Sequence, residues 1–240
     1  MEQQEIKTVV ILGMHRSGTS MVTGILSKLG VDVGKRLLYP NAANPLGYFE
    51  DVDFFELNKQ ILRAAGGSWK APPDIKDILA QRDEFSRPIR NLIKRKESKL
   101  WGWKDPRTSL TIELYLPFLT NAHFIVCHRD SKEVARSLAQ RENWKIQRGI
   151  RLKKAYDERI NSFFEKCNRL NRFDINYENI ISNSEEAIDD IIGFLGIEVD
   201  NDKYEKTLKM ILTPKDIQKL RNKTKKQLKS DYNLYWGNDS

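Results

Sequence analysis

The sequence predicts an α/β fold in which a parallel sheet carries helices on both faces, with a P-loop-like first unit. Two observations support this. A continuously apolar, β-branched run, Thr8–Leu12, is followed by a glycine-bounded loop and then by a helical pattern. Further strand-like runs alternate with helical patterns, as parallel sheets with crossover helices do. These runs are Lys99–Lys104, Ala122–Cys127 and Phe173–Tyr177.

The first unit is the clearest. Gly13 ends the first strand, and the loop GMHRSGTS leads into MVTGILSKLG, whose apolar residues recur at helical spacing until Gly30. The next stretch, VGKRLLYPNAANPLGYFED, is irregular and rich in Pro and Gly, and a helix is predicted over Val52–Ala64. An insertion of this kind beside a sheet edge is a common place for a ligand-binding pocket.

Length and composition predict one domain. The chain has 240 residues, of which 40% are hydrophobic, enough for a single core. We expect a domain over residues 1–240, with its core at about 7–195 and a basic C-terminal extension at about 203–240. The net charge of +8 favours a polyanionic partner, although it is also consistent with solubility alone. The basic run Lys219–Lys229 has the same two interpretations.

Cysteine usage and hydropathy bear on location. Cys127 and Cys167 are forty positions apart, with neither a CxxC motif nor a histidine cluster at ligand spacing. The sequence therefore predicts no metal site and favours a reducing compartment. The N-terminus is polar, and no run approaches the roughly 18 apolar residues of a membrane-spanning helix. We expect a cytoplasmic protein.

The loop GMHRSGTS has the spacing of a phosphate cradle between a strand and a helix. Gly13 and Gly18 are separated by four residues, and glycine allows the close backbone approach that an anion requires. Thr19 stands where the P-loop motif GxxxxGK[ST] has lysine, which argues against ordinary NTPase chemistry. Arg16 supplies an alternative cation. The predicted anion ligands are His15, Arg16, Ser17, Gly18, Thr19 and Ser20.

A second anion site is predicted where Ala122–Cys127 runs into HRDSKEVARSLAQRE. Arg129 follows the strand, and Ser137 lies eight residues later, about two helical turns on, so the two can converge on one anion. The HRD string also occurs in protein kinases. Here no asparagine follows Asp130 at the kinase spacing and no DFG motif is present, so the kinase interpretation is disfavoured.

These motifs together resemble the family of sulfotransferases that use 3'-phosphoadenosine-5'-phosphosulfate (PAPS). Arg16 followed by SGTS resembles the family's 5'-phosphosulfate loop, and Arg129 with Ser137 resembles its 3'-phosphate motif. The segment WGWKDPRTSL is similar to the Lys-Asp-Pro element of tyrosylprotein and related bacterial sulfotransferases, which implies that Lys104 is the transition-state lysine. YENI, beginning at Tyr177, is similar to a Tyr-Glu element of the family. The family's C-terminal RxGxxGxWK-type loop has no counterpart.

The resemblance implies transfer of a sulfuryl group from PAPS to an acceptor hydroxyl, with PAP as the product and no metal. In-line displacement requires positioning and charge neutralisation, for which Arg16 and Lys104 are the candidate cations. The acceptor hydroxyl also requires a base. Glu50 is the preferred candidate in GYFEDVDFFELN, and Asp51 is the alternative because its spacing to the Phe pair fits the glycan enzymes better.

Two alternative functions, and the identity of the acceptor, remain open from the sequence. A P-loop nucleotide or small-molecule kinase would depend on ATP and magnesium. A non-catalytic protein would bind PAP or a polyanion without turnover; no nucleic-acid-binding motif is present. For a sulfotransferase, the acceptor could be a polysaccharide, glycolipid, peptide tyrosine or small molecule, with carbohydrate weakly preferred.

Overall fold

The computed structural model describes residues 6–41, 44–212, 216–217 and 219. Its centre is a four-stranded sheet in the order β2-β1-β3-β4, in which every neighbouring pair is parallel. The strands are β1 (Lys7–Leu12), β2 (Leu100–Lys104), β3 (Ala122–His128) and β4 (Asn171–Asn176). The predicted α/β class with a parallel sheet is confirmed.

Helices connect these strands and cover both faces of the sheet. They are α1 (Thr19–Lys28), α2 (Val52–Ala64), α3 (Ile75–Leu79), α4 (Arg82–Lys96), α5 (Thr108–Tyr115), α6 (Ser131–Glu142), α7 (Ile146–Lys166), α8 (Tyr177–Ser182), α9 (Ser184–Leu195) and α10 (Asn201–Leu208). A 3-10 turn, Leu116–Phe118, follows α5.

The alternation of side chains along β1 divides the core into two layers. Val9 and Ile11 pack with residues of α1 and α9 on one face, whereas Val10 and Leu12 pack with residues of α2, α4, α5 and α7 on the other. All four of these side chains are fully buried. The apolar run that predicted a parallel strand is therefore explained by helices on both of its faces.

Gly102 allows the close pairing of β1 and β2. A Cβ atom at this position would lie 2.0 Å from the carbonyl oxygen of Val9, so only glycine fits between the strands. Beside it, the Phe54 and Trp103 rings stack with their centroids 4.4 Å apart. This packing fixes the end of β2, where Lys104 lies.

The structure refines the predicted elements at several points. The last strand begins at Asn171 and ends at Asn176, because Tyr177 already belongs to α8. Helices α3 and α4 lie between α2 and β2, where the sequence analysis named no element. Most of the basic run Lys219–Lys229 lies outside the described residues. No described helix is long and apolar enough to cross a bilayer.

Candidate active site

The loop between β1 and α1 has the backbone of an anion cradle. Gly13, Arg16 and Gly18 have φ values of 142°, 74° and 87°, so successive N–H groups can turn towards one point. The positive φ of Arg16 is unusual for a residue with a side chain, and such conformations are concentrated at functional sites. Among the described residues no side chain caps α1, so its N-terminal N–H groups are available to an anion.

Cys127 of β3 and Tyr177, which directly follows β4, lie close to this loop. A Cβ atom at Gly13 would lie 2.9 Å from the Cys127 carbonyl oxygen, and one at Gly18 would lie 2.8 Å from the ring of Tyr177. Both glycines are therefore required by contact as well as by conformation. Tyr177, the first residue of the YENI segment and of α8, connects the loop to the end of β4.

Arg16 joins the two predicted anion sites. Its Nε atom donates to the Ser137 hydroxyl at 2.9 Å, and its carbonyl oxygen accepts a hydrogen bond from Arg129 at 3.1 Å. The Arg129 guanidinium also lies over the Tyr177 ring, 4.3 Å from its centroid. Arg129 and Ser137 therefore both contact Arg16. Their predicted binding of one anion stays a prediction.

A cavity of about 370 Å³ opens along this row of residues. The buried Nε atom of Arg129, which lines the cavity, and the buried Oγ atom of Ser17 in the adjoining loop have no hydrogen-bond partner among the described residues. Buried polar groups in proteins nearly always have partners, so these two atoms are suited to a bound polar ligand. Phosphate-like oxygens match this set of donors. The lining includes Arg16, Gly18, Thr19, Ser20, Arg129, Ser137, Tyr177, Asn44 and Phe49.

Lys104 and Glu50 form a buried ion pair at the end of β2. Lys104 Nζ lies 2.8 Å from Glu50 Oε1 and also donates to the Ser20 hydroxyl at 3.2 Å. Burial raises the pKa of Glu50 above its ordinary value, and the ammonium of Lys104 opposes that shift. A carboxylate with a raised pKa beside a cation is suited to proton transfer.

A second arginine and a buried amide support this pair. Arg107 lies 3.7 Å from Glu50 Oε2 and donates to Asp105 at 2.7 Å. Asp105 in turn accepts a hydrogen bond from Asn58 at 2.9 Å. Sequence reasoning did not single out Asn58, Asp105 or Arg107 as site residues, although the last two belong to the quoted segment WGWKDPRTSL.

Asp51 has different surroundings from Glu50. Its Oδ1 atom accepts the backbone N–H of Asp53 and caps α2, while its Oδ2 atom lies 2.6 Å from Lys96 Nζ. Asp51 lines a separate cavity of about 510 Å³ together with Lys96 and Trp101. The structure therefore brings Glu50, and not Asp51, to Lys104.

His15 points to another part of the molecule than the residues that follow it. Its ring packs against Trp69, with centroids 4.2 Å apart, and edge-on against Tyr156. Burial lowers the pKa of His15, and nearby Arg107 and other cations add to this effect. His15 is not among the residues that line the 370 Å³ cavity. Its predicted role as a cofactor ligand stays a prediction.

The site therefore combines a phosphate cradle with a buried Lys–Glu pair at the carboxyl ends of parallel strands. The sequence model of the sulfotransferase family matches residues 8–201. The chain belongs to the sulfotransferase family. The match confirms the resemblance to sulfotransferases that the sequence motifs predicted. No curated protein matches the chain in sequence.

Solved sulfotransferase structures are similar to this chain in fold. The sulfotransferase domain of the Synechococcus PCC 7002 olefin synthase superposes with a TM-score of 0.52 at 14% identity, covering 97% of this chain and 96% of that domain. A Mycobacterium tuberculosis H37Rv sulfotransferase gives 0.52 at 12% identity, covering 95% and 76%. One from Mycobacterium avium gives 0.51 at 15%, covering 95% and 75%. At identities this low, the superpositions show a shared fold and nothing further.

Proposed function

We propose that this sulfotransferase uses PAPS as donor and transfers its sulfuryl group to an acceptor hydroxyl, releasing PAP. The observation that carries the proposal is the meeting of Arg16, Arg129 and Ser137 at one cavity. A nucleotide with phosphates at both the 5' and 3' positions matches two anion sites, whereas ATP offers no 3'-phosphate for the second.

The residues divide into two anion-binding groups. Arg16 and the segment Ser17–Ser20 would hold the 5'-phosphosulfate, through backbone N–H groups and the positive end of α1. Arg129 and Ser137 would hold the 3'-phosphate, and the Tyr177 ring keeps the Arg129 guanidinium in place. When bound, PAPS supplies the sulfuryl group and a phosphate leaving group. The protein supplies positioning, charge neutralisation and a base for the acceptor hydroxyl.

Glu50 and Lys104 would act on the acceptor side. The Glu50 carboxylate takes the proton from the acceptor hydroxyl, and the Lys104 ammonium, with Arg16, neutralises charge on oxygens at the reacting centre. Their ion pair, which is almost fully buried, holds both groups ready before an acceptor arrives. We include in the proposal a single catalytic domain and a cytoplasmic location, the latter supported by the two unpaired cysteines.

The test is calorimetric titration of the purified protein with PAP, adenosine 5'-phosphosulfate, and ATP with magnesium. We expect PAP to bind, and Arg129→Ala to weaken PAP at least tenfold while changing adenosine 5'-phosphosulfate less than twofold, because only PAP has the 3'-phosphate. Arg82→Ala, an exposed arginine on α4, is the matched control. Binding of ATP with magnesium in the absence of PAP binding would overturn the proposal in favour of a P-loop kinase.

A further inference from the structure

Two tryptophans outside the cofactor cavity form a stack with basic side chains. The rings of Trp69 and Trp144 lie 5.8 Å apart, and Lys70 Nζ lies 5.2 Å from one and 5.3 Å from the other. The Arg148 guanidinium lies 4.0 Å from the Trp144 centroid, and that of Arg141 lies 5.2 Å from Trp69. Each indole thus orients at least two cations. We call this group the Trp–Arg stack.

The inner end of the stack reaches the loop between β1 and α1. Trp69 packs against His15, which directly precedes Arg16 in that loop. His15 is 7% exposed, and neither of its ring nitrogens has a hydrogen-bond partner among the described residues. A neutral imidazole has one donor and one acceptor, which is the complement of a hydroxyl group. The two ring nitrogens therefore suit a hydroxyl-bearing ligand at the inner end of the stack.

The outer end of the stack opens into a groove of about 550 Å³. Trp144, Gln147 and three cations line it. The cations Lys145, Arg148 and Arg151 recur every third residue from the N-cap of α7 into the helix, which is about 4.5 Å of helix per step. The Glu142 carboxylate, on the preceding helix, is already bound to Lys70 and to Arg141. The groove therefore presents a row of positive charge at the outer end of the Trp–Arg stack.

We propose that the Trp–Arg stack and this groove form the acceptor subsite, and that the acceptor is an anionic saccharide chain bearing carboxylates or sulfates. The proposal rests on the proposed function and specifies its acceptor. Its hydroxyls suit His15, and its repeated anions suit the cation row on α7. An aromatic acceptor is disfavoured, because His15 and the cations already cover the indole faces and leave no slot for another ring.

The experiment titrates the full chain with three probes of six units each. They are a hexasaccharide of alternating uronic acid and N-acetylhexosamine, neutral maltohexaose, and hexaglutamate. We expect only the acidic hexasaccharide to bind, and the double variant Arg148→Gln/Arg151→Gln to weaken it at least tenfold. Both arginines are exposed, as are Arg82 and Arg87 on α4, so Arg82→Gln/Arg87→Gln is the matched control and should leave affinity within twofold.

Each other outcome contradicts the proposal in a different way. Equal losses in both double variants would show non-specific polyelectrolyte binding, and equal binding of hexaglutamate would indicate an acidic peptide instead. PAP is titrated in parallel, and its affinity should be unchanged in Arg148→Gln/Arg151→Gln. If PAP binds and no hexasaccharide does, the subsite is overturned and the proposed function is not. If the hexasaccharide binds and PAP does not, the proposed function fails and the groove is a polyanion site.

Discussion

Lys104 Nζ lies 2.8 Å from Glu50 Oε1, and these two side chains are only 1% and 6% exposed. One comes from the end of the edge strand β2 and the other from the irregular insertion that precedes α2. Burying a charge is unfavourable unless it is paired, so the pair holds the insertion against the sheet edge. It also places a carboxylate and an ammonium beside the Ser20 hydroxyl of the phosphate loop.

Glu50→Gln tests the proposed base directly. The substitution keeps the size of the side chain and removes its proton affinity, so turnover should fall by roughly 10²-fold or more. PAP affinity should stay within twofold, because Glu50 does not line the cofactor cavity. The measurement is transfer of labelled sulfate together with a PAP titration. Turnover within twofold of the wild type would remove Glu50 from the role.

The pH dependence of kcat/KM provides a second test of the same residue. Burial raises the pKa of Glu50, against the opposing effect of Lys104. A base must be ionised, so the rate should be full above this pKa and fall as pH decreases through it. We expect the acidic limb to lie above about 4.3, the ordinary value for glutamate. A limb that persists unchanged in Glu50→Gln would assign it to another group.

Asp51→Asn separates the two adjacent carboxylates. Asparagine still caps α2, but its neutral side chain no longer pairs with Lys96, so the substitution should lower the free energy of unfolding by about 1 kcal/mol or more. Turnover per folded molecule should change less than twofold. Urea denaturation and the sulfate-transfer assay measure the two effects. A stable variant that loses turnover would move the role of base to Asp51.

The first strand, loop and helix could be predicted because their signals are local. The apolar run, the two glycines and the helical period all lie within residues 8–30. The meeting of Arg129 with Ser137 was also predictable, since the spacing along one strand and one helix determines it. The cavity that they share with Arg16 follows from the parallel order of β1 and β3.

The choice between Glu50 and Asp51 could not be made from the sequence. Adjacent side chains diverge here because Asp51 has an extended backbone (φ −65°, ψ 128°) before α2 begins, and successive side chains of an extended chain point to opposite sides. The pairing of Glu50 with Lys104 spans 54 positions and depends on how the insertion packs against the sheet edge. The contact of Tyr177 with Gly18 could not be predicted for the same reason, since the parallel alignment of β4 brings the two residues together.

Gly18→Ala should impair cofactor binding more than folding. Gly18 has a φ of 87°, and the added Cβ would lie 2.8 Å from the Tyr177 ring. The strain is about 1–2 kcal/mol for a left-handed residue, and relieving the contact would displace the ring that holds Arg129. We expect PAP affinity to fall at least tenfold. Calorimetry measures the affinity and urea denaturation the stability.

Gly30→Ala is the control for backbone strain alone. Gly30 has a φ of 102°, but its Cβ would meet no described atom within 4 Å. It should lose similar stability and keep PAP affinity within twofold. If the two variants weaken PAP equally, the contact between Gly18 and Tyr177 has no special part in the site.

Asn58 anchors the acceptor side of the site through four buried hydrogen bonds. Its amide nitrogen donates to Asp105 at 2.9 Å and to Thr108 at 3.0 Å, and its oxygen accepts from Thr111 at 2.7 Å and from Tyr115 at 3.0 Å. Asn58→Leu keeps the volume and removes all four. Each buried polar group left without a partner costs about 1–3 kcal/mol, so we expect a loss of at least about 3 kcal/mol.

Turnover should also fall in Asn58→Leu, because Asp105 would no longer be held where it binds Arg107 beside Glu50. Thr111→Val is the matched variant: it removes one donor to the Asn58 oxygen while Tyr115 still donates to it. That variant should lose about 1 kcal/mol and keep its turnover. Urea denaturation of both, with sulfate transfer measured below the transition, checks the prediction. Equal stabilities for the two variants would show that the network acts through Thr111 alone and that Asn58 does not organise it.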